Sequence, residues 1–374
     1  MTKKVIKTGS PFLPPLEQLI PFLENIWASR NLSNNGHFEK EFEKAIKLHL
    51  NVDHVSLVSN ATIGLILSIK ALRLEGEIIT TAYGFAAAAQ AITTAGLIPK
   101  FIDVAPKTTN LDPSLIEAAI TDQTSAILAI HTYGIPCDVD QIERIARKYK
   151  LKVIYDAAHA IGVNCHCGSI LNHGDFSIVS LHATKLINTF EGGIVISRNS
   201  FLKQKIDRLK NFGFSQNKRS ASLGFGLNGK MQEFSAALGL IQLQHLESLI
   251  QQNKDLAQNY DRQLAALNGV EPIKTPSMIK YNFSYYPIVV TDESQMSRDS
   301  LVKCLADENI FTQRYFSESL PKLFSLKSDD YRISSSLRHT KNIAKRVICL
   351  PIYPEMTHDL VERVAKTIRK FTEL

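Results

Sequence analysis

Residues 180–193 read SLHATKLINTFEGG. They follow directly on an apolar run, DFSIV (175–179), that has the character of a buried strand. A single lysine, Lys185, stands among small residues just past that strand, with Glu191 and two glycines behind it. Removing water from an ammonium disfavours its charged form, so a lysine in such a place implies a chemical use rather than a solvated face. The EGG stretch reads as a turn leading into a further apolar run, GGIVISR (192–198).

Upstream of this segment the same grammar repeats. From about Asp53, short apolar runs (HVSLVS, EIITT, KFIDV, AILAIH and KVIYDAA) alternate with helix-length amphipathic stretches such as DVDQIERIARKYK. Strands that are apolar throughout, instead of alternating, belong to a parallel sheet covered on both faces. Counting DFSIVS and GGIVISR, seven strands are expected, mainly parallel and flanked by helices. Asp112 before Pro113, and Asp138 before VDQIERIA, are capping residues that mark helix starts. After Gly229 the pattern changes to one long helical stretch and then to a small α+β part. The expected organisation is a large α/β domain over 1–245 and a smaller C-terminal α+β domain over 246–374. The proline-rich first thirty residues are expected to pack on the small domain or on a partner subunit.

Composition narrows the class. The chain has 374 residues, 44% of them hydrophobic, enough for two packed domains. Its net charge of +7 suits a phosphorylated small substrate. Nucleic acid is not expected, because the basic residues are spread along amphipathic segments such as RIARKYK and not gathered in a stripe. Five scattered cysteines indicate a reducing compartment. Cys165-His166-Cys167 has one residue between its thiols, too few for the usual zinc clamp, and no second pair follows, so no metal is expected. The basic start lacks an apolar core segment, and no run of about 18 apolar residues occurs. A cytoplasmic protein without membrane contact is the expectation. GFGLNG (224–229) spells a dinucleotide fingerprint, but a polar loop precedes it where a strand is required, so that reading fails.

Three features converge on the C-terminal ends of the inferred strands, where open α/β sheets bind ligands. SNATIGL (59–65) ends a strand and starts a helix, whose free N–H groups offer a phosphate seat at Asn60, Ala61 and Thr62. Alone it reads first as an ordinary helix cap. Asp156 ends the run KVIYD, and Lys185 is the third feature. Pyridoxal phosphate requires all three: a lysine for the Schiff base, a carboxylate at the pyridine nitrogen and a phosphate seat. Ser180 adds a phosphate contact, and Phe85 can stack on the ring. This order of features is that of the aspartate-aminotransferase fold, fold type I.

Nearly the whole chain resembles the sugar-nucleotide aminotransferases of the DegT/DnrJ/EryC1/StrS group. The resemblance is carried by SNATIGL, TTAYGFAAAAQAI (80–92), IHTYGIPCDVDQIERIARKYKLKVIYDAAHAIG (130–162), SLHATKLINTFEGGIV (180–195), GLNGKMQEFSAALGLIQL (226–243) and VICLPIYPEMT (347–357). It implies amino transfer from L-glutamate, leaving 2-oxoglutarate, to a keto-sugar on a nucleoside diphosphate. NNG (34–36) and the HATK…NTFEGG form are most similar to members that make dTDP-4-amino-4,6-dideoxy-D-glucose. Amination at C3 is the alternative. A sugar dehydratase of the same fold carries histidine at the lysine position, and a non-catalytic regulator would have no use for the retained constellation.

Carried over, the resemblance makes Lys185 the Schiff-base lysine and proton shuttle, Asp156 the partner of the pyridine nitrogen, and Phe85 a ring-packing residue. Asn228 is implied to reach the phosphate of a neighbouring subunit, hence a homodimer. His159 stands where many members have glutamine, and Ala61 where glycine is common. Arg314 and Tyr315, in FTQRYFSESLP, resemble a segment near the substrate pocket.

Overall fold

The computed structural model describes residues 4–215, 218–222, 224–275, 279–323 and 330–372. Seven strands of the main sheet are β1 (Val55–Val58), β2 (Glu77–Thr81), β3 (Ile98–Ile102), β4 (Thr124–Ile130), β5 (Lys152–Asp156), β6 (Phe176–Ser180) and β7 (Gly193–Ser197). They lie in the order β1-β7-β6-β5-β4-β2-β3. Pairs from β6 through β3 are parallel, whereas β7 runs antiparallel to both β1 and β6. An eighth strand, short and exposed, comes from Arg332–Ile333 in the C-terminal region and lies parallel to β3. The seven-strand expectation is therefore extended by one edge strand too short to show an apolar run.

The helices before and around this sheet are α1 (Leu16–Ser29), α2 (His37–Leu50), α3 (Ala61–Leu72), α4 (Ala87–Thr94), α5 (Val139–Tyr149) and α6 (Ser200–Leu209). Helix α7 (Glu233–Leu264) is 32 residues long, about 48 Å at 1.5 Å per residue. Its buried side chains run from Glu233 to Leu264, so it packs along both parts of the molecule, and residue 245 falls inside it. Beyond it a three-stranded antiparallel sheet joins Val270–Pro272, Tyr286–Val290 and Val347–Leu350. Helices α8 (Arg298–Asp307), α9 (Arg338–Arg346) and α10 (His358–Thr372) cover it. The N-terminal arm joins this unit through Ile6, which exchanges backbone hydrogen bonds with Asn309 and Phe311.

Two buried polar devices hold the sheet's end in register. Glu233, at the start of α7, accepts from the Phe38 and Glu39 N–H groups at 2.9 Å each and so caps α2 from a distance. Lys210, equally buried, donates to Glu39 (2.8 Å) and to the Leu57 carbonyl (3.0 Å). Its own carbonyl accepts from the Gly229 N–H, and the Gly229 carbonyl accepts from the Ser59 N–H at 2.8 Å. A paired buried ammonium thereby anchors the loop that follows β1. Among the described residues no helix is long and apolar enough to cross a membrane.

Candidate active site

Val58, Gly193 and Ser180 stand in one row across β1, β7 and β6. Neighbouring strands are about 4.8 Å apart, so the turn after β1 and the Ser180 hydroxyl lie within about 10 Å, on either side of a glycine. Asn60, extended at φ −167°, caps α3 by accepting the Ile63 N–H at 2.9 Å. The N–H groups of Ala61 and Thr62 carry no acceptor among the described residues and stand at the positive end of the helix dipole. Ala61 opens α3 and is not among the residues with positive φ, so its methyl group is accommodated where glycine is common. Ser180 accepts from the His182 N–H at 3.3 Å, which leaves its hydroxyl proton to donate.

The loop from β6 to β7 folds tightly on itself. Leu181 donates to the Gly192 carbonyl, Thr189 to the Leu181 carbonyl and Lys185 to the His182 carbonyl, each at 2.9 Å. A Cβ on Gly192 would meet Thr189 Oγ1 at 2.2 Å, and one on Gly193 would meet the Asn60 carbonyl carbon at 2.7 Å. Close approach therefore explains both glycines; neither has positive φ. Glu191 is not the lysine's counter-ion, since it faces His182 Nε2 at 3.7 Å.

Lys185 is partly buried, and Nζ donates to the Tyr285 hydroxyl at 3.4 Å. Burial pushes its amine down to about 8, while the charge of Asp156 pulls the other way. Asp156, itself buried, is pushed up by desolvation; the Ala158 N–H and Lys185 oppose the shift. His159 is held neutral by burial, with the Lys185 charge adding to the effect. Its Nδ1 accepts from the Tyr133 N–H at 3.1 Å, and its ring lies 4.7 Å from that of Tyr285.

Lys185 opens onto a cavity of about 160 Å³ that is also lined by Thr8–Phe12 of the N-terminal arm, Asn253, Tyr285, Tyr315 and Tyr353. The structure thus brings Lys185 and Tyr315 together and sets Asp156 and His159 within the lysine's electrostatic reach. Arg314 is turned away from this cavity. It is exposed and ion-paired with Asp299 of α8 at 3.1 Å. Phe85 is 59% exposed, its ring 6.4 Å from that of Phe316, and Asn228 is exposed one residue before Gly229. Tyr285 and the arm residues were not among the sequence-derived candidates. Only their position across the cavity marks them.

The Cys165-His166-Cys167 triplet, set aside on spacing, is joined in the structure by His173, so that three soft ligand atoms gather at one surface hairpin. None of Cys165, Cys167 and His173 lines the Lys185 cavity.

The sequence profile of the DegT/DnrJ/EryC1/StrS aminotransferase family matches residues 17–369. A dTDP-4-amino-4,6-dideoxy-D-glucose transaminase of Shigella dysenteriae is 42% identical over 98% of this chain and 99% of its own length. One of the same description from Escherichia coli is 40% identical, with the same coverage of both chains. Among solved structures, DesI, crystallised in the presence of its TDP-sugar product, superposes with a TM-score of 0.92 at 34% identity. That likeness covers 98% of this chain and 92% of DesI.

Proposed function

The chain belongs to the DegT/DnrJ/EryC1/StrS aminotransferase family and is a transaminase of that kind, and we propose its substrates. It moves the amino group of L-glutamate to C4 of dTDP-4-keto-6-deoxy-D-glucose, giving dTDP-4-amino-4,6-dideoxy-D-glucose and 2-oxoglutarate. What supports this choice of sugar is identity of 40–42% along the full chain to two transaminases of that description. The net charge of +7 suits the diphosphate.

Pyridoxal 5'-phosphate fits the residues present. Asp156 supplies a buried carboxylate for the ring nitrogen. The open N–H groups of Ala61 and Thr62, with the Ser180 hydroxyl, supply donors for the phosphate. Lys185 supplies an amine whose proton is released near neutrality. When bound, the group acts as an electron sink for the substrate carbon. The protein's part is positioning and proton transfer. Lys185 Nζ, neutral in a useful fraction at physiological pH, takes a proton from one carbon and returns it to another. Tyr285 steadies that amine from the cavity side. His159, uncharged, adds no second positive charge beside it. The segment Thr8–Phe12 and Tyr353 form the cavity walls that keep water from the reacting atoms. Asn228 is exposed and so available to a second subunit of a homodimer. Unpaired cysteines fit a reducing, cytoplasmic setting.

The test is to incubate the purified protein with L-glutamate and dTDP-4-keto-6-deoxy-D-glucose and assign the product by NMR. An amine at C4 is the expected result. An amine at C3, or no consumption of the sugar while a 3-keto isomer reacts, would overturn the choice of substrate.

A further inference from the structure

Between β5 and β6 the chain makes a small hairpin, pairing Asn164 with Ser169 and Cys165 with Gly168. Gly168, at φ 108°, permits the tight return. The chain then passes through a single 3₁₀ turn, Ile170–Asn172, and delivers His173 back to the hairpin's thiols. The Sγ atoms of Cys165 and Cys167 are 2.7 Å apart; His173 Nε2 is 3.5 Å from the first and 3.2 Å from the second. On the other side of the imidazole, Nδ1 faces Glu143 Oε1 of α5 at 3.4 Å. That oxygen also accepts the Gly174 N–H at 3.0 Å and lies 3.6 Å from Arg198 Nη2. The carboxylate is thus fixed from three directions, and it fixes the ring with Nε2 aimed at the sulfurs. A ligating histidine held from behind by a carboxylate is a recurrent arrangement in metal sites.

We propose that Cys165, Cys167 and His173 bind a thiophilic divalent cation of the zinc class, with water completing a tetrahedron and Glu143 as the outer partner of His173. Two thiolates and an imidazole select such a cation over calcium or magnesium, which take oxygen ligands. Tetrahedral bonds of about 2.3 Å to sulfur and about 2.05 Å to nitrogen require sulfur–nitrogen separations of about 3.6 Å, close to those present. The two sulfurs must part to about 3.8 Å, which rotation of the exposed Cys167 side chain supplies. Asp140, 3.8 Å from His166 Nε2, adds negative charge beside the hairpin although the chain as a whole is basic. His173 precedes β6, so the cation sits toward the strands' N-terminal ends. Asp156 and Ser180 lie at the opposite ends, about 16 Å away along five-residue strands. The site ties the hairpin to α5 and takes no part in amino transfer. Spacing alone missed it because the third ligand arrives six residues later, by way of the turn.

The experiment uses the protein as purified, reduced and stripped with a chelator, then titrated with Co²⁺ as the spectroscopic probe. One equivalent should produce the long-wavelength absorption of tetrahedral thiolate-bound cobalt, clear of any cofactor band, and Zn²⁺ should bleach it. Cys165→Ser and Cys167→Ser should abolish the signal with the circular dichroism unchanged. Glu143→Gln should weaken binding by about 10–100-fold, the usual effect of losing an outer partner. Absence of the band, its survival in the double serine variant, or a thiol count that falls by two on oxidation with no cation uptake by the reduced protein would overturn the proposal.

Discussion

The Lys185 ammonium donates to the Tyr285 hydroxyl at 3.4 Å, across a hundred residues of sequence. The same tyrosine packs its ring against those of His159 at 4.7 Å and Tyr133 at 5.8 Å. The bond is long, and a hydrogen bond of ordinary strength contributes about 0.5–1.5 kcal/mol. Tyr285→Phe should therefore lower kcat about 2–10-fold while the absorption of the lysine-bound cofactor persists. Loss of that absorption in the variant would mean that Tyr285 holds the lysine itself, not merely its proton.

Asp156→Asn keeps the shape of the side chain and deletes its charge. An opposite charge close to a titrating group is worth about 1–3 pKa units, so activity should fall by about 10–1000-fold. A second readout separates electrostatics from folding. Because the carboxylate raises the Lys185 pKa, its removal should move the lysine's titration midpoint downward. An unmoved midpoint would mean that the two groups do not sense each other.

The pH dependence has a definite sign. Lys185 is depressed from 10.5 to about 8, chiefly by burial, so it is charged below that value and neutral above it. Capture of added pyridoxal phosphate by cofactor-free protein requires the neutral amine. Its rate should rise about tenfold per pH unit below 8 and level off above it. Between pH 8 and 10.5 the unfolded chain holds the extra proton, so Lys185 makes stability rise with pH in that window. A capture rate that keeps climbing to pH 10 would show an ordinary, solvated lysine.

Much of this site is legible in the sequence for a local reason. Strands buried on both faces read as unbroken apolar runs, and the polar residues that end them stand out against that background, as Asp156 does after KVIY and Ser180 after FSIV. What stays hidden depends on contacts between distant segments. GGIVISR looks the same whichever way β7 runs, and Arg332–Ile333 is two exposed residues, too short for an apolar run to announce an edge strand. Tyr285, Tyr315 and Thr8–Phe12 meet at Lys185 only because the chain beyond α7 and the N-terminal arm fold over it. Arg314 sits beside Tyr315 in the chain, yet its charge is taken up by Asp299, a choice made by the packing of α8.

Gly193 gives the sharpest test of the phosphate seat. It occupies the row between Val58 and Ser180, and a methyl group there would stand 2.7 Å from the Asn60 carbonyl carbon and 2.8 Å from the Ala61 nitrogen. Both obstacles are backbone, so no side-chain rotation relieves them; the turn itself must move. Gly193→Ala should cost about 1–3 kcal/mol of stability, in the range of an overpacked interior. Because the displaced atoms include the first N–H of α3, pyridoxal phosphate affinity should fall at least tenfold, measured by equilibrium dialysis at a temperature where the variant stays folded. A variant that loses stability but binds the cofactor as the parent does would place the phosphate elsewhere.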